Sequence, residues 1–100
     1  ITYGEQGVKV SCVCPGAVDT AMLRAMTGDA DTAAQVIGGG DVLTPAAAAV
    51  RVLDDVRDEK FLIYTHPDLK QYVVRKAEDT DRWIRGMTRL WGRSKQLLEG

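Results

Sequence analysis

The sequence predicts an α/β fold: the C-terminal part of a doubly wound parallel sheet, with two strands plus helices, and a long C-terminal helical region. Three observations carry this prediction. An apolar run rich in β-branched residues stops at Pro15-Gly16, an amphipathic helix opens at Thr44-Pro45, and a second short apolar run covers 61–64. Two strands joined through a helix form a parallel pair.

The first element is predicted from the residues around Gly7. Glycine suits the left-handed residue that closes a helix, so residues 1–6 are predicted to be a helix end. Alternation then predicts a strand over residues 8–14, and residues 11–14 carry no charge on either face, which is typical of a strand covered on both sides. Two strands cannot cover themselves, so we expect the remaining strands upstream of Ile1, and the chain alone to be unstable, swapped or dependent on a partner.

Residues 16–43 differ in composition from the preceding strand, because Asp, Thr, Gly and Ala dominate this segment. Short helices are expected near 20–26 and 30–37, and Gly38-Gly39-Gly40 is predicted to be a flexible joint. A long segment with weak structure inside a compact domain is a functional loop or a disordered one.

The central helix is predicted to begin at Thr44-Pro45, since threonine caps a helix and proline fits its first turn. Its end is predicted at 58–60, where three charged residues follow one another. Helical spacing predicts a buried stripe of Ala49, Val52, Leu53 and Val56.

The last helical region is predicted to start at His66-Pro67, and the polar cluster 78–81 could bend or split it. We therefore divide the chain into 1–66, part of a sheet domain, and 67–100, a helical extension. A predicted stripe at helical spacing comprises Leu69, Tyr72, Val73, Ala77, Trp83, Ile84, Met87, Leu90 and Trp91.

Composition excludes several classes of protein. The 100 residues carry a net charge of −1, which argues against a dedicated nucleic-acid binder. No apolar run is long enough to span a bilayer and no secretory signal is visible, so a reducing, cytoplasmic setting is expected. Cys12 and Cys14 share one face of a strand, but no His or Cys cluster supports a metal site.

Residues 7–20 resemble the sixth strand and following loop of the short-chain dehydrogenase/reductase family. The family pattern is an apolar strand, then Pro-Gly, one residue, Val or Ile, one residue, and Thr; Pro15-Gly16, Val18 and Thr20 match it. The resemblance continues through the helix start at Thr44-Pro45 to a seventh strand at 61–64, so it covers about the first two thirds of the chain.

The resemblance implies a Rossmann-like domain of an oxidoreductase that moves hydride between NAD or NADP and an alcohol or carbonyl substrate. Pro15, Gly16, Val18 and Thr20 would then hold the nicotinamide carboxamide, and the 20–43 loop would close over the substrate. Met22, Leu23 and Met26 would line the substrate pocket or dock this lid on the core.

In the family, the glycine-rich loop and the catalytic Ser, Tyr and Lys lie upstream of the Pro-Gly strand, so the resemblance assigns no catalytic residue to this chain. A homo-oligomer or a complementing N-terminal part is the expected partner. Tyr72 and Lys76 have the family's Tyr-x-x-x-Lys spacing but follow the strand, so we predict that Tyr72 packs in the core. His66, next to Pro67, is predicted to serve a turn or a helix start.

A hypothesis of a different class comes from the last helix, which is basic and amphipathic. Its arginines recur along one side, and its tryptophans and aliphatic residues occupy the other. Such a helix can lie on an anionic membrane or dock in a partner's groove. A solvated basic face on a helix packed against its own domain, or against a second subunit, is the favoured interpretation. The arginines are Arg82, Arg85, Arg89 and Arg93.

Overall fold

The computed structural model describes residues 1–28, 32 and 41–99 and has an α/β architecture in which helix predominates. Among the described residues, a 3₁₀ turn at Gly4–Gln6 precedes six helices and strands. These are β1 (Cys12–Cys14), α1 (Ala21–Thr27), α2 (Pro45–Arg57), β2 (Leu62–Tyr64), α3 (Leu69–Glu78) and α4 (Thr80–Glu99). The 3₁₀ turn closes at Gly7 with φ of 82°, so the predicted helix end is confirmed as a short 3₁₀ turn.

The two strands form a parallel pair, as the sequence predicted. Cys12 lies opposite Leu62 and Cys14 opposite Tyr64, so both strands end side by side. The predicted length of the first strand is wrong, because Val8 and Val10 lie outside β1 and are exposed. A strand extends only as far as its residues pair with a neighbouring strand, and three residues of β2 pair with β1.

Within the described residues, β1 is not covered on both faces. Cys12 is exposed, and Val13 keeps 43% of its surface in contact with solvent. α2 packs against β2, and the buried apolar residues in the described part of the chain are Ala48 and Ile63. The sheet is therefore covered where α2 lies, and β1 remains open.

The helix α2 begins and ends where the sequence predicted. Thr44 Oγ1 accepts a hydrogen bond from the backbone N–H of Ala47 at 3.2 Å, and Pro45 occupies the first turn. Glu59, just beyond the helix end, adopts the left-handed region at φ 55°. The predicted buried stripe is wrong: Ala48 is the buried residue, Val52 is half-buried, and the other predicted members are exposed. These are Ala49, Leu53 and Val56.

In the described part of the chain, an isolated bridge joins the two ends of the segment that follows β1. The predicted helix near 20–26 is confirmed as α1, whereas the helix predicted at 30–37 and the Gly38-Gly39-Gly40 joint lie outside the described residues. Val18 then pairs in parallel with Leu43. This bridge brings the beginning and the end of the loop together beside the strand ends.

The C-terminal region is split in two, as the polar cluster predicted. Asp79 ends α3 with a non-helical backbone, and its Oδ1 accepts a hydrogen bond from the Arg82 N–H at 3.0 Å, which caps α4. The predicted start at His66-Pro67 is wrong by a few residues, because α3 begins at Leu69. In the described part of the chain, no helix is long and apolar enough to cross a membrane.

The molecule is extended for its length. Its radius of gyration is 16.3 Å, whereas a compact domain of this size has about 13 Å. Large apolar side chains are exposed on several elements, among them Val13 on β1, Leu53 on α2 and Trp91 on α4. The described residues therefore leave part of the apolar face of each of these elements exposed to solvent.

Candidate functional site

The strand-end cluster comprises Gly16, Thr65, His66 and Arg51, which meet where β1 and β2 finish. Because Cys14 lies opposite Tyr64, the residues that follow the two strands are neighbours. The backbone N–H of Gly16 donates to Thr65 Oγ1 at 2.8 Å. Thr65 is 1% exposed, so this bond is shielded from water. The Pro15-Gly16 turn is thereby fixed to the end of β2.

His66 extends this connection to the end of the loop. Its Nδ1 lies 2.9 Å from Thr65 Oγ1 and its Nε2 lies 2.7 Å from the carbonyl oxygen of Asp41. A carbonyl only accepts, so we assign the ring proton to Nε2. Nδ1 then accepts from the Thr65 hydroxyl. One hydroxyl and one imidazole thus link three separate segments of the chain.

The space around Gly16 explains why glycine occupies this position. A Cβ built there would lie 2.7 Å from Cε1 and 3.0 Å from Cγ of His66, and nearer still to Nδ1. Real Cβ atoms do not approach a ring atom so closely. Glycine is required here by the imidazole that lies against it.

Arg51 connects α2 to the same point. Its Nη1 donates to the carbonyl oxygen of Thr65 at 2.8 Å. Thr65 therefore receives the Arg51 guanidinium at its backbone and the Gly16 amide at its side chain. A buried threonine with these partners holds its hydroxyl in one orientation, because any rotation would leave a buried polar group unpaired.

The predicted cofactor residue Val18 lies in the bridge with Leu43. The bridge is made by the neighbours of Val18: Asp19 N–H donates to Leu43 O at 2.8 Å, and Leu43 N–H donates to Ala17 O at 3.0 Å. In a parallel ladder the N–H of the central residue points to the opposite side. The Val18 N–H is therefore directed away from Leu43.

Thr20, the other predicted cofactor residue, is the N-cap of α1. Its Oγ1 accepts from the Leu23 N–H at 3.3 Å. A hydroxyl has one donor hydrogen and two lone pairs, so this cap uses one lone pair and leaves the donor for another partner. Thr20 can thus cap the helix and still contact a ligand.

Between these two residues, Asp19 forms a two-bond ion pair with Arg24, with distances of 2.7 and 2.8 Å. The hydrogen bond from the Arg24 guanidinium lowers the pKa of the Asp19 carboxyl, partial desolvation opposes this, and the positive charge of Arg24 adds to it. Asp19 is consequently held as a carboxylate that orients the start of α1.

The three predicted substrate-loop residues separate in the structure. Met22 and Met26 are exposed, at 76% and 72% of their surface, and Leu23 is half-buried. The two methionines present adaptable apolar side chains to solvent. Both alternatives for these three residues, lining a substrate pocket and docking the lid on the core, remain predictions.

Next to Pro15 lies an open cleft with a volume of about 270 Å³. Its floor is formed by the strand ends and Pro15, and its walls by one face of α3 and by α4. The lining residues are Cys14, Pro15, Tyr64, Leu69, Tyr72, Val73, Lys76 and Trp83. Partial desolvation raises the pKa of the Cys14 thiol, and the neighbouring Cys12 adds to the effect. Cys14 therefore contributes a neutral thiol to the floor.

The cleft gives Tyr72 and Lys76 a different setting from the one predicted. Tyr72 is 50% exposed, so the prediction that it packs in the core is wrong. Lys76 Nζ lies 4.5 Å from the ring centroid of Trp83, which is a cation–π contact. Both residues lie on the wall of the cleft, together with Trp83 of α4.

Sequence reasoning missed most of the strand-end cluster. It placed Gly16 correctly and gave His66 a turn role, but it did not connect either to Thr65 or Arg51. A usable signal was present: the carboxyl ends of adjacent parallel strands meet at one edge. This rule predicts that Thr65 and His66, which follow the second strand, lie beside Pro15-Gly16.

Comparison of the chain with protein-family models, with curated proteins and with solved structures finds no match.

Proposed function

We propose that this chain is the C-terminal portion of a Rossmann-like, NAD(P)-dependent oxidoreductase of the short-chain type. The observation that carries the proposal is the Pro15-Gly16 turn, which lies at the carboxyl ends of two parallel strands and is locked there by Thr65. In open α/β sheets, ligands bind at this edge. The sequence pattern of residues 7–20 supports the same function.

The donor set fits a carboxamide. The Val18 N–H points away from its bridge partner and can donate to a carbonyl oxygen, and the Thr20 hydroxyl retains its donor. A bound nicotinamide would supply the chemistry of hydride transfer between an alcohol and a carbonyl. The contribution of these residues is to orient the ring, which is the protein's share in cofactor chemistry.

Other parts of the reaction need residues beyond this chain. The family's glycine-rich loop and its Ser, Tyr and Lys are not among these 100 residues. Tyr72 and Lys76 do not replace them, because the ammonium group of Lys76 stacks on Trp83. The open faces of β1 and the extended shape support a further portion that completes the sheet. A second copy or a complementing N-terminal part would supply it.

Intact mass spectrometry of the protein purified from its natural source tests this proposal. We expect these residues to occur in a longer polypeptide, or with a second one, that carries a glycine-rich loop and a Tyr-x-x-x-Lys pair. Nicotinamide-dependent hydride transfer would then follow the same fraction. A mass of the 100 residues alone, with no such companion, would contradict the proposal on chemical grounds.

A second candidate function is docking of α4 on another protein chain. Trp91 is 61% exposed, and α4 presents an exposed apolar stripe of Ile84, Met87, Trp91 and Leu98. At about 100° per residue, the arginine row lies on the opposite side of the helix from this stripe. The net charge of −1 gives the chain little overall attraction to anionic lipid, so the exposed stripe favours a protein groove over a membrane.

Two measurements separate these possibilities. Sedimentation velocity over a range of concentrations should show association that weakens in Trp91→Ser, if the stripe docks on a second copy. Sedimentation with anionic lipid vesicles at low salt should show no binding. Vesicle binding that disappears at high salt would instead support the membrane alternative.

A further inference from the structure

The open cleft beside Pro15 has the composition of a small-molecule site. Five of its side chains are aromatic or aliphatic: Tyr64, Leu69, Tyr72, Val73 and Trp83. Ligand pockets are mostly apolar, with a few polar groups that fix orientation. The cleft also lies at the carboxyl ends of the strands, where ligands bind in such sheets.

The geometry of the wall comes from the helical period of α3. Leu69, Tyr72, Val73 and Lys76 are spaced three and four residues apart, so they form one face of that helix. Trp83, in the first turns of α4, closes the end of this face, because Asp79 turns the chain between the two helices. The aromatic side chains therefore come from three elements and meet at one place.

The charge of the lining residues favours an anionic ligand. Lys76 is the charged residue of the lining, and its ammonium group lies over the Trp83 ring. Among the described residues, Lys76 forms no ion pair with a carboxylate. Partial desolvation keeps Cys14 a neutral thiol, so no negative charge opposes an anion on the floor of the cleft.

Size limits the ligand. A volume of about 270 Å³ is slightly below the range of about 300–1,000 Å³ that holds drug-sized molecules. One or two fused rings therefore fit the cleft better than an extended chain. Aromatic rings in the wall favour a planar partner, because stacked and edge-to-face arrangements add to simple burial.

We infer that this cleft binds a small planar aromatic carboxylate, with the ring between Tyr72 and Trp83 and the carboxylate at Lys76. The cleft shares Pro15 with the proposed nicotinamide-holding residues, but the inference rests on Tyr72, Trp83 and Lys76 and does not depend on the proposed function. Its occupation requires no cofactor.

The test uses benzoate as the probe and its neutral analogue benzyl alcohol as the comparison. In ¹⁵N-labelled protein, benzoate should shift the indole N–H of Trp83 in a saturable manner and leave that of Trp91 unchanged, because Trp91 lies outside the cleft. Because the sample contains no nicotinamide, the benzoate result neither supports nor contradicts the cofactor proposal. Absence of a Trp83 shift at millimolar benzoate, or equal shifts of both indoles, would overturn the inference.

Lysine variants test the charge. Lys76→Met keeps the aliphatic stem and removes the charge, and it should weaken benzoate binding by about two- to five-fold, as expected for one partly exposed ion pair. Binding of benzyl alcohol should stay the same. Lys70→Met is the matched control, since Lys70 lies on α3 but does not line the cleft. Equal weakening by both substitutions would show a net-charge effect and contradict the site.

Discussion

The strand ends contain buried, hydrogen-bonded polar groups, whereas α4 has large apolar side chains exposed to solvent. At the strand ends, polar groups are buried and paired: Thr65 is 1% exposed and bonds to Gly16, His66 and Arg51. On α4, Trp91 remains 61% exposed. Buried polar groups lose much when one partner is removed, whereas exposed groups lose little. The comparison teaches that the geometry of the candidate site depends on a few polar contacts rather than on a large core.

The largest expected effect is that of Gly16→Ala. The added methyl group would meet the His66 ring, so we expect a loss of about 1–3 kcal/mol in the free energy of unfolding, as for other overpacked sites. Urea denaturation measures it. Gly4→Ala is the control, because a Cβ at Gly4 meets no atom within 4 Å.

A double-mutant cycle sharpens this prediction. If the clash with the imidazole causes the loss, Gly16→Ala should cost much less in a His66→Gly background, with a coupling free energy of about 1 kcal/mol or more. Additive effects of the two substitutions would show that the ring of His66 does not lie against Gly16.

The next effect is that of Thr65→Val, which removes the hydroxyl and preserves the shape. The Gly16 N–H would lose its buried acceptor, so we expect a loss of about 1–3 kcal/mol. Thr88→Val on α4 is the matched control: its hydroxyl bonds to the Ile84 carbonyl on an exposed surface, and the change should stay within about 0.5 kcal/mol. Equal losses of stability in the two variants would contradict the expected difference between the strand ends and α4.

On α4 the expected effect has the opposite sign. Gly92→Ala should raise stability by about 0.8–1 kcal/mol, because alanine is the better helix former and a Cβ at Gly92 meets no atom within 4 Å. Thermal unfolding followed by circular dichroism measures the change. A decrease in stability would mean that another surface contacts this side of α4 in solution.

The smallest effect concerns the pH dependence of Asp19. Arg24 lowers the pKa of Asp19 below its ordinary value of 3.8. A lowered pKa contributes stability that is present above the ordinary value and disappears as the pH falls through the lower, folded value. Asp19→Asn should therefore be less stable than the wild type at neutral pH, and the gap should close in acid. A gap that widens in acid, or one insensitive to salt, would contradict the ion pair.

The sequence alone predicts the elements whose causes are local. Thr44 and Pro45 define the start of α2, and Asp79 divides the last helical region, because capping depends on residues three or four positions apart. The parallel pairing was also predictable, since a helix joins the two strands. These features need no knowledge of distant contacts.

Features that depend on distant contacts were beyond the sequence. The requirement for glycine at position 16 comes from His66, about fifty residues away, and alternation does not reveal such a contact. The predicted burial of Leu53, Val56 and Tyr72 assumed that every apolar stripe meets a second layer, and these side chains are exposed. Periodicity tells which face is apolar, but packing alone decides whether that face is covered.

A titration followed by ¹H–¹⁵N spectra tests most directly whether the residues after β1 hold a nicotinamide ring, as we propose. Nicotinamide mononucleotide is the probe, and adenosine monophosphate, which has a phosphate and a different base, is the control. We expect saturable shifts of the Gly16, Val18 and Thr20 amides with nicotinamide mononucleotide, and none with adenosine monophosphate. Shifts of equal size with both ligands, or none with either, would contradict it.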